Sequence, residues 1–129
     1  MTKDRVATLA ASIGAGLLFG TAAFHFSAYS AVVESASTEL RSIVAACWVA
    51  AGTSLMIAAL LAIAATPLFV VRRRALLVIA ALTPLSIALL QIVYLGFIPP
   101  TALLLLDTAV LIVAAELGRA SQERPVTRA

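Results

Sequence analysis

Four long apolar stretches occupy most of this sequence, and they leave it little to fold into except a bundle of membrane-crossing helices. A bilayer core about 30 Å thick takes about 20 apolar residues of α-helix, with a range of about 17–25. The stretches 6–29, 43–71, 75–95 and 101–117 all meet that requirement. The second exceeds it and must tilt or project beyond the core. A water-soluble alternative fails on geometry. In 129 residues that are 63% hydrophobic and 12% charged, the surface is too large for its volume to hide so many apolar side chains. Soluble domains carry about twice that share of charge. The expected fold is an all-α integral membrane protein, one four-helix domain followed by a short polar tail over 118–129.

The breaks between the stretches set the topology. SAVVESASTELRS is polar and carries Glu34, Glu39 and Arg41; RRRA reads as a tight basic turn; GFIPP has Gly96, Pro99 and Pro100, which end one helix and start the next. Connections this short force antiparallel neighbours, giving an up-down-up-down bundle. Cytoplasmic loops are enriched in Lys and Arg. Lys3, Arg5, Arg72, Arg73, Arg74, Arg119, Arg124 and Arg128 all fall on one side of a four-span chain, and only Arg41 falls on the other. Both termini are therefore expected in the cytoplasm of a bacterial-type inner membrane. So strong a bias argues against insertion in both orientations. Lys3 and Arg5 ahead of an apolar run resemble a signal peptide, but the run is longer than the usual 7–15 residues of such a segment. It is read as a first span.

Several function classes drop out. The basic residues flank apolar spans and form no soluble surface for a duplex, so nucleic acid is not expected as a partner. One cysteine, Cys47, rules out an internal disulfide or a CxxC motif. One histidine offers no metal-ligand spacing and no second axial ligand for a haem. No lysine lies within a span to carry a Schiff base. No cofactor or metal is expected.

Polar residues inside the spans are the candidate site. At a rise of about 1.5 Å per residue, His25 lies roughly 6 Å inside the outer end of the first span, with Tyr29 one turn above it. Trp48 is about as deep in the second, on a stripe with Arg41, Ala45 and Gly52. Gln91 and Tyr94 share a face of the third, and Asp107 is roughly 9 Å down the fourth. These six occupy the outer half of the bundle, with Glu34, Glu39 and Arg41 at its lid. The inner half holds only Thr and Ser hydroxyls, which can bond their own helix. Ionisable residues in a span are costly and mark function by default. Asp107 and His25 are accordingly expected to meet as an acid/base pair, the carboxylate orienting the ring. Gln91, Tyr94, Trp48, Tyr29, Arg41 and Glu34 are expected to bind the ligand. The plainer alternatives are inter-helix hydrogen bonding for Asp107 and Gln91, and an interfacial aromatic belt for Tyr29 and Trp48.

The function expected from this layout is an outward-facing pocket that binds, or acts by acid/base chemistry on, an apolar or lipid-like small molecule. An accessory subunit of a membrane complex is the alternative. An oligomeric proton-coupled transporter ranks third, because ionisable groups stop halfway through the bundle. Gly16-Leu-Leu-Phe-Gly20 permits close helix approach. A homodimer is also compatible with four thin, Ala-rich helices that enclose little volume. Membrane lipids are the remaining expected partners.

Overall fold

The computed structural model describes residues 3–66 and 70–120. Among these the chain is helix and turn only: α1 (Lys3–Ser27), the short α2 (Tyr29–Ser35), α3 (Arg41–Ala65), α4 (Val70–Leu95) and α5 (Pro99–Ala120). The four long helices have 22 to 26 residues, or about 33–39 Å at 1.5 Å per residue. Each is long and apolar enough to cross a membrane.

The long helices form a four-membered ring. α1 packs on α3 and α5, and α4 packs on α5 and α3. Chain neighbours run antiparallel. The first turns of α4 meet the last turns of α5 through an Arg74–Glu116 ion pair at 2.9 Å. At their other ends, Thr101 Oγ1 donates to Gln91 Oε1 at 2.8 Å. The starts of α1 and α4 and the ends of α3 and α5 therefore share one end of the bundle, termed the basic end. α2 and the α4–α5 turn occupy the opposite end.

Local chemistry accounts for the turns. Gly96 has φ +76°, a left-handed conformation that stops α4 without the steric penalty a Cβ would bring. Pro99 then opens α5, where its missing N–H costs nothing. Two sequence expectations are corrected. Arg72–Arg74 do not form a turn; they lie within α4, which already begins at Val70. The polar 30–42 segment is not all loop, since α2 occupies Tyr29–Ser35 as a short helix beyond the end of α1. Apolar residues on either side of the arginines favour helix continuation, and hydropathy is blind to where a helix starts. Residues 67–69, expected at the end of the second span, and the tail from 121, with Arg124 and Arg128, lie outside the described residues. Pro84 is buried within a continuous α4.

The interior is built from small residues. Ala7, Ala11, Ala15, Leu18 and Ala22 line one face of α1 at helical spacing. Ala58, Ala59, Ala62 and Ala65 face them from α3, with Ala80 and Ala81 from α4 and Ala114 and Ala115 from α5. Many large apolar side chains point outward, among them Ile57, Leu60, Leu82, Leu90 and Val113, all about half exposed. This is the arrangement expected where the surroundings are as apolar as the core. Close packing of small residues, rather than hydrophobic burial, then holds helices together. Gly14 shows how close the approach is: a Cβ built there would lie 2.7 Å from Leu111 Cδ2.

Candidate functional site

The half of the bundle toward α2 holds the buried polar residues Thr101 and Asp107. Thr21 and His25 are four apart on α1, hence one turn apart on one face. Trp48 and Gly52 have the same relation on α3. Gly52 is buried, and a Cβ there would lie 2.8 Å from Phe26 Cζ and 3.1 Å from His25 Cδ2. The missing side chain lets α1 bring its rings against α3.

His25 and Trp48 are joined three ways. His25 Nε2 donates to the Trp48 carbonyl at 2.9 Å, and Trp48 Nε1 donates to the His25 carbonyl at 2.7 Å. Their rings stack with centroids 3.9 Å apart and planes 10° from parallel. The His25 carbonyl lies in the last turn of α1, where helix geometry leaves carbonyls without an intrahelical donor, so the indole caps it. Because a carbonyl only accepts, the proton of a neutral His25 is on Nε2, and Nδ1 carries the lone pair.

Asp107 is 1% exposed. Its Oδ2 accepts from Thr21 Oγ1 at 3.0 Å, and no other hydrogen bond to a described residue engages the carboxylate. The expected direct contact with His25 is not made. Thr21 sits level with Asp107, whereas His25 lies one turn, about 6 Å, nearer the α2 end and spends its Nε2 on Trp48. Thr21 is the residue that sequence reasoning overlooked. Its spacing of four from His25 was the available signal, hidden because an isolated Thr in a helix ordinarily bonds its own backbone.

The other candidates divide. Gln91 reaches Thr101, which is fully buried; no described residue accepts from the Gln91 amide nitrogen. Tyr94, one turn on, is 78% exposed and borders only an outer groove. Tyr29, Glu34 and Arg41 are exposed and line neither cavity described next.

A partly enclosed chamber of about 110 Å³ is bounded by all four long helices. Thr21, His25, Trp48 and Gln91 are its polar side chains, set among Phe24, Leu55, Ile87, Leu103 and Leu104. A more open groove of about 440 Å³ runs along the α3–α4 side past Ile43, Val44, Cys47, Ala51, Leu90 and Tyr94. The two share His25, Trp48, Ile87, Gln91 and Leu95 as a common wall. Neither lining includes an Asp, Glu, Lys or Arg, so Asp107 touches the chamber only through the Thr21 hydroxyl. Among the described residues no three His, Cys, Asp or Glu side chains are placed to hold a metal.

Compared with protein-family models, characterised proteins and solved structures, the chain matches none.

Proposed function

We propose that this chain is an integral membrane protein of a bacterial-type inner membrane, with the basic end of its bundle in the cytoplasm. In the opposite, outer half, the bundle holds an apolar or amphipathic small molecule. The eight-to-one distribution of Lys and Arg supports the orientation. One observation carries the ligand reading: a single chamber to which all four long helices contribute, apolar except for Thr21, His25, Trp48 and Gln91. Small-molecule sites have this character, a concave apolar lining with few placed polar groups. Acid/base action on the bound molecule would fall to His25 Nδ1. Asp107, one hydroxyl removed, would tune the site through Thr21. A proton-coupled transport reading has less behind it, since the core of the basic half is Ala and Leu.

Native mass spectra of the protein in mild detergent test the reading. A discrete small molecule should ride on wild type and be lost from Gln91→Leu and Asp107→Asn. Bare wild-type protein would sink it.

The accessory-subunit reading has one observation of its own. Gly16 and Gly20 face outward, with open space where a Cβ would stand, a surface that another transmembrane helix can approach closely. A second protein that co-purifies in stoichiometric amount, with the chamber empty, would favour it.

A further inference from the structure

The chamber and the groove are two compartments of one site, and we infer that its ligand is a neutral, hydroxyl-headed, single-chain amphiphile that enters sideways between α3 and α4. This rests on the ligand reading above and narrows it to a chemistry and a route.

Size comes first. The chamber, at about 110 Å³, is smaller than the roughly 150 Å³ cavity that accepts a benzene. It takes a small head and a few carbons, not a whole lipid. The groove, at about 440 Å³, is in the range of ordinary ligand sites, and Val32, Ile43, Val44, Ile87, Leu90 and Leu95 give it an aliphatic stretch suited to a chain. Head inside and tail in the groove is the arrangement that uses both.

Charge comes next. A charged head would enter a low-dielectric space whose lining has no charged side chain. The nearest, Asp107, lies behind Thr21 and is not in contact with the space, and a buried charge without a direct partner is strongly disfavoured. The head is therefore neutral. The polar atoms left over specify it further. The Gln91 amide nitrogen has N–H groups to donate. His25 Nδ1 can accept, because Nε2 holds the proton for Trp48, and Thr21 Oγ1 can accept, because its hydrogen goes to Asp107. A group that both donates and accepts satisfies this set, and a hydroxyl is the smallest that does. The route follows from the shared wall: His25, Trp48, Ile87, Gln91 and Leu95 face both compartments, so a molecule in the groove already touches the residues that bound the chamber.

Trp48, the only tryptophan, lines both compartments, and bromine on an amphiphile quenches its fluorescence on contact. The full chain in phosphatidylcholine vesicles would be titrated with a mid-chain dibrominated long-chain alcohol, the matching carboxylate and the matching trimethylammonium compound. The alcohol should quench saturably, at a mole fraction about tenfold lower than either charged probe. Gln91→Leu should weaken it about tenfold, the effect of one buried hydrogen bond left unmade. Ala51→Phe should abolish saturation, since Ala51 borders the groove alone. A bulky maleimide on the exposed Cys47 should do the same without altering the sequence. Equal or tighter quenching by a charged probe would overturn the neutral head. Alcohol quenching that survives both groove blocks would overturn the lateral route. Quenching by all three that rises linearly with mole fraction, as random lipid contact does, would remove the ligand reading itself.

Discussion

His25 and Trp48 each donate a side-chain N–H to the other's backbone carbonyl, at 2.9 and 2.7 Å, while their rings stack. The pair joins α1 to α3 and at the same time lines both chamber and groove. A reciprocal arrangement should be energetically coupled, because loss of one bond frees the geometry that holds the other. Trp48→Phe and His25→Phe keep a stacked ring. The first leaves the α1-end His25 carbonyl unsatisfied and should cost about 1–2 kcal/mol. The second should cost about 0.5–1.5 kcal/mol because the Trp48 carbonyl keeps its bond within α3. The double variant should cost less than the two together. Unfolding titrations in detergent read this coupling, and strict additivity would show that the two bonds act independently.

The Thr21–Asp107 bond predicts an asymmetry. Thr21→Val leaves a buried carboxylate without its partner and should destabilise by about 1–3 kcal/mol. Thr21→Val combined with Asp107→Leu removes both polar groups and should return to within about 1 kcal/mol of wild type, because apolar replacement of both partners is near neutral. The same titrations decide it. Recovered stability with lost ligand would show that Asp107 is retained for the site rather than for the fold.

Glycines that look alike in sequence should behave differently. Gly52→Ala drives a Cβ into the Phe26 and His25 rings and should cost about 1–3 kcal/mol as overpacking does. Gly16→Ala and Gly20→Ala meet open space and should be neutral or gain up to about 1 kcal/mol in helix propensity. Thermal unfolding of the three variants separates them. A large loss at Gly16 or Gly20 would reveal a covered face, and hence association.

Topology is testable without knowing the ligand. A fluorescent reporter that matures only in the cytoplasm should be bright when fused after Ala129. Ser37→Cys, in a Cys47→Ala background, should react in whole cells with a maleimide that cannot cross membranes. A dark fusion or an unreactive Ser37→Cys would reverse the proposed orientation.

Much of the architecture was legible in the sequence, and the candidate site only in part. Gly96 and Pro99 marked the α4–α5 turn because each acts through its own backbone. The arginine run misled because charge does not stop a helix, and the apolar residues on either side carry α4 through it from Val70. His25, Trp48 and Gln91 were recognised as members of one layer, since depth along a helix is a matter of counting. Their partners were not recognised. Asp107 was matched to His25 by depth and charge, whereas the structure gives it Thr21; Tyr94 was grouped with Gln91, yet it points outward.

Four apolar runs of spanning length, the breaks between them and the lopsided placement of nine basic residues belong to the sequence by itself, because hydropathy and charge add up along the chain. Which side chains meet was decided only by the tertiary structure. Helical periodicity tells which residues of one helix share a face, but not how that face is turned toward its neighbours. That rotation is set where small residues let helices close in, at the alanine faces and at Gly14 and Gly52. The rotation fixed there brings His25 to Trp48 and Thr21 to Asp107 and leaves the chamber beside them.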